Sequence, residues 1–370
     1  MKQIILILLA TFSSQMISAT NIEIDGIYYI LSLSDLTAEV TESPNKYKGD
    51  IVIPNKIEID GKSYKVNSIG ENAFSVCDEI LSVSIPETIK RIGFAAFAEC
   101  HNLKNVVLPE GLESIGPYAF GYCQSLTSIT IPNSTFFEST SFWGYSTFRD
   151  CTALKSIKLP DNMTLIGRDM FKNCSQLKII TIPQSVTMIE DNAFYECSEL
   201  SEIAIPKEVT YIGSGAFFGC EKIKQLIIPD LVEEIAGVAF AGCKQLETIK
   251  IGKGIRKMDC TVFQNCVELK NVYVYSEIVP VFNFPYFVEY NPSEATLHIL
   301  ESALFEYMVS NPWSGFGKFT KLETTGITNI EKEHNMPQIY SINGGRLNGL
   351  HRGINIIKMD NGKSMKLMCK

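Results

Sequence analysis

The chain is poor in the residues and motifs that most enzymes need. It contains only four histidines among 370 residues, and they share no spacing with one another or with a nucleophile: His101, His298, His334 and His351. No nucleophile elbow, phosphate-binding loop or metal-binding helix motif occurs in the sequence. The sequence therefore predicts a protein that is not an enzyme and uses no cofactor or metal, although a triad built from distant residues is invisible in one sequence.

An excess of basic charge is also absent. The formal net charge is -8, which gives no electrostatic reason to expect a nucleic acid as the partner. The basic residues are unevenly spread, because residues 336–370 carry six of them against Asp360 as the one acid. This asymmetry predicts a separate small module at the C-terminal end.

Long apolar runs are missing as well. The apolar run at residues 4–10 follows Lys2 and is too short to span a bilayer, and Ser18 and Ala19 offer small residues for cleavage. We therefore interpret residues 1–19 as a signal peptide and expect an exported protein without a membrane span, located outside the cell or on its outer surface. No cysteine precedes Cys77, so a lipid on a processed N-terminal cysteine is not expected.

A period of 23 residues dominates what is present. A phenylalanine followed three residues later by a cysteine recurs nine times, with one longer step of 28 residues between Phe120 and Phe148. Apolar residues follow each cysteine at +3, +6 and +8, usually with a proline next, as in Leu200, Ile203, Ile205 and Pro206. The alternation at +6 and +8 predicts a short strand that the proline ends. One such repeat cannot bury its apolar side alone, so we expect the repeats to stack into a solenoid with aligned apolar columns.

These columns resemble the BspA-type leucine-rich-repeat surface proteins of Bacteroidetes. The resemblance implies a curved, β-rich solenoid of short parallel strands with N- and C-terminal caps. The predicted domains are the signal peptide, an N-terminal β cap at 20–66, nine repeats at 67–275, a C-terminal cap at 276–323, a linker at 324–335 and a basic β tail at 336–370. The tail is similar to C-terminal tails of secreted Bacteroidetes proteins, some of which direct export or surface retention.

The cysteines form a column rather than a disulfide framework. Nine of the eleven share one repeat position, where neighbouring side chains point the same way and lack the twisted geometry of a disulfide. A line of thiols does not converge on a metal either. We expect buried thiols that behave as small hydrophobic groups. Cys260 stands outside the column, where other repeats have Pro117, Arg168 or Ser214, and is predicted to be an exposed thiol.

Two regions are candidate ligand-binding surfaces. The +5 and +7 positions after each cysteine should face outward from the strands and include Lys158, Thr181, Glu202, Gln225, Ile227, Lys250 and Tyr273. They form either a binding face or a solvent-exposed sheet surface that binds no ligand. The five extra residues before Phe148 bring aromatic residues that either protrude as a binding patch or fold back over the solenoid. The candidates there are Phe136, Phe137, Trp143 and Tyr145.

Two functions of different kinds remain open. Relatives that the chain resembles act as adhesins, which implies binding to a protein or glycan of a host or a neighbouring cell. The alternative is a structural spacer without a dedicated ligand. A third and weaker hypothesis, an enzyme with its site in the caps, requires a deep pocket near His298 or Trp313. The sequence does not indicate the oligomeric state.

Overall fold

The computed structural model describes residues 21–139 and 144–322 and several short segments beyond them, namely 338–341, 343, 345–347, 353–358 and 364–369. The described residues begin with six strands: β1 (Ile22–Ile24), β2 (Ile27–Ser32), β3 (Thr37–Thr41), β4 (Gly49–Val52), β5 (Lys56–Ile59) and β6 (Lys62–Ile69). β1 and β2 form an antiparallel hairpin that continues into β3, whereas β3 and β6 pair in parallel. The parallel winding of the solenoid therefore begins before the first repeat.

In the turns that contain Ile179 and Glu202 one strand is reduced to an isolated bridge, whereas each of the remaining turns of the repeat region contributes two strands. In chain order they are β7 (Ile80–Ser84), β8 (Arg91–Ile92), β9 (Asn105–Val107), β10 (Ser114–Ile115), β11 (Ser128–Thr130), β12 (Phe136–Phe137), β13 (Ser156–Lys158), β14 (Leu165–Ile166), β15 (Met188–Ile189), β16 (Tyr211–Ile212), β17 (Gln225–Ile228), β18 (Glu234–Ile235), β19 (Thr248–Ile251), β20 (Lys257–Met258), β21 (Asn271–Val274) and β22 (Val281–Phe282).

These strands build two stacks of parallel sheet. One stack, whose outer side we call the front face, contains β4-β7-β9, β11-β13, a bridge between Ile179 and Glu202, and β17-β19-β21. The other, whose outer side we call the back face, contains β3-β6-β8-β10-β12 and β14-β15-β16-β18-β20-β22. The prediction of a β-rich leucine-rich-repeat solenoid is confirmed.

The sheets continue into the C-terminal flank. β23 (Thr296–Leu300) and β24 (Lys318–Leu322) extend the front stack in parallel register. A 3-10 turn (Pro292–Glu294) precedes β23, and α1 (Leu304–Val309) lies between β23 and β24 with two more 3-10 turns (Glu301–Ala303 and Trp313–Gly315). The tail strands β25 (Gln338–Ser341), β26 (Arg346–Leu347), β27 (Gly353–Lys358) and β28 (Ser364–Cys369) form an antiparallel sheet in the order β26-β25-β27-β28. The predicted signal peptide lies outside the described residues, as does the predicted linker.

The Phe-x-x-Cys segments form the third side of each turn, which we call the turn edge. Their nine phenylalanines are fully buried, and seven consecutive pairs of rings stack with centroids 5.0–5.8 Å apart: Phe74–Phe97, Phe97–Phe120, Phe120–Phe148, Phe148–Phe171, Phe171–Phe194, Phe194–Phe217 and Phe217–Phe240. The pair that flanks the five extra residues is 5.7 Å apart. The insertion therefore leaves the stack unbroken.

Aromatic residues from the flanks close both ends of this column. The ring of Tyr47 packs on Phe74 with the centroids 4.7 Å apart. At the other end, Phe287 and Tyr290 each lie 5.8 Å from Phe263. The flanks thereby shield the two terminal rings, which would be exposed to water in a stack without caps.

The residue before each cysteine has a left-handed backbone. Its φ is between 56° and 71° in all nine repeats, and the position is held by Val76, Glu99, Tyr122, Asp150, Asn173, Glu196, Gly219, Gly242 and Asn265. Only glycine enters this region without steric cost, and asparagine and aspartate tolerate it better than other residues do. The β-branched Val76 is therefore the most strained residue of the series.

We predict opposite effects for one substitution at two exposed valines. Val76→Gly should raise the free energy of unfolding by up to about 1 kcal/mol because it relieves left-handed strain. Val107→Gly, in the extended strand β9, should lower it by about 1 kcal/mol because glycine costs backbone entropy there. Urea denaturation of both variants checks the two signs, and a loss of stability in Val76→Gly would contradict the assignment of strain.

Candidate functional site

The front face exposes two columns of side chains along the whole repeat region. Strand pairing places the +5 and +7 residues in register from turn to turn, as in Gln225, Thr248 and Asn271. Among the eighteen residues of the two columns only Lys158, Glu202 and Lys250 are charged. Val107, Ile179 and Ile227 are apolar and yet strongly exposed. The face is thus broad, poor in charge and partly apolar.

The seven predicted site residues of the strands lie together on this face. Ile227, Lys250 and Tyr273 are successive partners in the ladder, and Gln225 lies beside them. Glu202 is bridged to Ile179, two residues before Thr181, and Lys158 ends β13. The structure therefore brings these side chains into one continuous surface, and whether that surface binds a ligand stays a prediction.

The described aromatic residues of the insertion, Phe136, Phe137 and Tyr145, lie at the back of the solenoid instead. Phe136 and Phe137 form β12, which pairs with β10 in the back stack. Phe137 contacts the core ring of Phe148, whereas Phe136 remains 60% exposed. The ring of Tyr145 lies directly over Gly167, where a Cβ atom would be 1.9 Å from Tyr145 Cδ2. Trp143 lies outside the described residues. The packed rings of Phe137 and Tyr145 favour folding back over the solenoid for those two residues.

A carboxylate that sequence reasoning missed holds the start of this loop. Arg91 donates from Nε to Glu138 Oε1 at 3.1 Å, and the hydroxyl of Ser114 donates to the same oxygen at 2.8 Å. The three side chains come from three successive turns of the back stack. The only signal in the sequence is that Arg91 and Ser114 occupy equivalent positions 23 residues apart.

The C-terminal end of the front face carries a stacked polar–aromatic row. His298 in β23 pairs with Tyr273, and the two rings are 3.9 Å apart and nearly parallel. Lys250 Nζ lies 5.5 Å from the centre of the Tyr273 ring. His298 also contacts Asn271 Oδ1 through Nε2 and the Thr320 hydroxyl through Nδ1. Sequence reasoning missed this row because the 23-residue period ends before His298.

Burial, assisted by the positive charge of Lys318, lowers the pKa of His298 to about 4. The Nε2–H of a neutral ring donates to Asn271 Oδ1, so that Nδ1 accepts from the Thr320 hydroxyl. This part of the front face therefore presents an uncharged imidazole across the physiological pH range.

The cysteine column consists of buried free thiols, as predicted. Eight of these thiols each donate from Sγ to the carbonyl oxygen of the phenylalanine one turn earlier, at distances between 3.0 and 3.3 Å. Burial raises the pKa of Cys100 and of Cys266 to about 12. The thiols therefore act as protonated donors that join neighbouring turns.

The prediction of an exposed Cys260 is wrong. Cys260 is only 2% exposed, because residues of the C-terminal flank cover it. Its backbone N–H donates to Asn283 Oδ1, and its carbonyl accepts from the N–H of Val288.

The described residues show neither a metal site nor a membrane helix. No group of three or more His, Cys, Asp or Glu residues in this part of the chain is placed to hold a metal. Within the same residues no helix has the length and apolar character that crossing a bilayer requires. Trp313, which the third hypothesis invoked, is fully buried among Phe282, Phe287 and Tyr307.

The stacked turns and their columns define the class of protein as a parallel β-solenoid of leucine-rich repeats. Residues 55–147 and 141–270 match the BspA type leucine rich repeat region, in six copies, and the chain belongs to that family. Leucine-rich-repeat solenoids are typically binding scaffolds without catalytic activity.

Solved structures of bacterial leucine-rich-repeat proteins are similar to this chain. One from Bacteroides ovatus is 29% identical with a TM-score of 0.57, and the match covers 76% of this chain and 77% of that chain. A leucine rich cell surface protein from Faecalibacterium prausnitzii is 23% identical with a TM-score of 0.34, over 70% and 95% of the two chains. No curated protein sequence matches the chain.

The buried imidazole predicts a specific dependence of stability on pH. Between pH 6.5 and 4 the unfolded chain takes up a proton that folded His298 does not accept, so wild-type stability should fall by about 1–3 kcal/mol as the pH is lowered. His298→Gln should lose most of this dependence, because glutamine does not titrate. Urea denaturation of both proteins at several pH values checks this, and equal slopes would contradict it.

Proposed function

We propose that the protein is exported and acts at the cell surface as a binding protein, which recognises a protein or glycan of a host or neighbouring cell with its front face. The observation that carries the proposal is the front face itself, where apolar Val107, Ile179 and Ile227 are exposed among hydroxyl and amide side chains. Depletion of charge with exposed apolar groups is typical of the central part of interfaces.

The ladder beneath these side chains supports the same proposal. Between β17 and β21 the outward residues are fixed by backbone hydrogen bonds between neighbouring turns, as in the register Ile227, Lys250 and Tyr273. A surface that is ordered before binding loses little conformational entropy when a ligand arrives. The front face therefore suits a large, flat ligand better than a small molecule.

Charge argues against a nucleic acid as the ligand. Only two lysines, Lys158 and Lys250, lie in the eighteen outward positions, and Glu202 offsets one of them. Binding to a phosphate backbone requires many more cations. The short apolar segment after Lys2 supports export, as does membership in a family whose proteins are typically found on cell surfaces or secreted.

Two glutamate substitutions of equally exposed residues test the role of the front face. Ile227 lies on the front face and is 63% exposed, whereas Val281 lies on the back face and is 68% exposed. If the front face binds, Ile227→Glu should weaken capture by about tenfold or more, because a charge is buried without a partner. Val281→Glu should leave capture unchanged.

The measurement is binding of the chain to immobilised matrix proteins and glycans at low and physiological salt. Melting temperatures of both variants should stay close to that of the wild type, since both sites are exposed. Equal losses of binding in the two variants would contradict the assignment of the binding site to the front face. If the wild type is retained on none of these surfaces at low salt, the result would favour the alternative function of a structural spacer.

A further inference from the structure

A hollow of about 300 Å³ opens on the turn edge, away from the front face. Its floor is made by Gly219 and Gly242, which hold the left-handed position before the cysteine in two consecutive turns. Elsewhere this column carries side chains such as Asp150 and Asn173. A Cβ atom on Gly242 would meet nothing nearer than the backbone of Gly219 at 3.5 Å. The hollow therefore exists because two successive side chains are missing from the column.

An aromatic pair borders the hollow. Phe218 lines it and stacks on Tyr195 of the preceding turn, with the ring centroids 4.5 Å apart and the planes 6° from parallel. Lys172 Nζ lies over the Tyr195 ring, 4.9 Å from its centre. The chain thus supplies a cation at the Tyr195 end of the pair, while the Phe218 end meets the hollow.

A carboxylate without a partner forms the next part of the wall. The side chain of Glu196 lies over Gly219, where an added Cβ would be 2.8 Å from Glu196 Cδ. Within the described part of the chain this carboxylate makes no hydrogen bond and no ion pair. Glu221, also in the wall, is paired with Lys244 Nζ at 2.6 Å. The lining of the hollow therefore carries two carboxylates, Glu196 and Glu221, and one cation, Lys244, which leaves a net negative charge.

The surroundings of Glu196 disfavour its charged form. Partial burial, followed by repulsion from Glu221, raises the pKa of Glu196 above its ordinary value, against a smaller opposing attraction from Lys244. A cation that enters the hollow would relieve both effects, because it offsets the lost hydration and screens the neighbouring carboxylate. Charge complementarity thus points to a positively charged occupant.

We propose that this hollow binds an arginine side chain presented by a partner protein, with the guanidinium group against Phe218 and its N–H groups donating to the Glu196 carboxylate. A guanidinium group is planar and weakly hydrated, stacks on aromatic rings and matches the two oxygens of a carboxylate. The ammonium group of lysine is compact and strongly hydrated, so it fits this wall less well. The site is independent of the front face, and either can exist without the other.

Ligand-observed NMR on the full chain tests the site with Nα-acetyl-arginine amide as the probe. Nα-acetyl-citrulline amide has nearly the same shape without the charge and should bind about fivefold more weakly or not at all. Two variants should bind the arginine probe more weakly than the wild type does, and to a similar extent. Glu196→Gln removes the charge at constant size, and Gly242→Asn fills the hollow with a residue that the same column accepts at Asn173 and Asn265.

Glu99→Gln is the matched control. Glu99 occupies the same left-handed column position as Glu196 but is followed in the next turns by Tyr122 and Asp150 rather than by glycines. The Glu99→Gln variant should bind the arginine probe like the wild type. All variants should have melting temperatures within a few degrees of the wild-type value. Equal binding of arginine and citrulline, or unchanged binding in both Glu196→Gln and Gly242→Asn, would overturn the proposal without affecting the front face.

Discussion

The structure depends on the contact of one Phe-x-x-Cys segment with the next. From Phe74 to Phe240 each phenylalanine ring stacks within the column and its amide donates to a carbonyl of the following turn, as Phe171 does to Ala193. Its own carbonyl accepts from a cysteine thiol one turn later, as Phe171 does from Cys197 at 3.1 Å. Three kinds of contact thus converge on one residue type and fix the distance and register of the turns.

This arrangement explains why the outer surfaces can vary. Backbone hydrogen bonds and inward side chains hold the ladder, so an outward residue changes without loss of register. The insertion before Phe148 shows the tolerance, since the rings of Phe120 and Phe148 stay stacked although five extra residues separate them in the sequence. The front face and the hollow over Gly242 both consist of outward positions that can change without loss of register. A binding surface on such a solenoid is therefore defined by what the columns carry and by where they lack a side chain.

Much of the fold could be predicted from the sequence, because the period fixes several positions at once. The buried columns, the outward residues and most strands of the front face follow from counting after each cysteine, although the turns of Ile179 and Glu202 form only an isolated bridge. Contacts that depend on three-dimensional placement could not be predicted. The hydrogen bonds of the thiols can be predicted only when the distance between turns is known. The stacked pair of Tyr273 and His298 extends beyond the point where the period ends. Cys260 was misjudged because the chain that covers it, around Asn283 and Val288, lies outside the repeat pattern.

The solenoid depends on the phenylalanine column, and denaturation of one variant pair tests this dependence most directly. Phe194 is fully buried in the middle of the column, whereas Phe284 lies in the C-terminal flank and is 51% exposed. If stacked rings hold the turns together, Phe194→Ala should lower the free energy of unfolding by about 3–5 kcal/mol, and Phe284→Ala should change it by less than about 0.5 kcal/mol. Similar small losses in both variants would show that the column does not carry the fold.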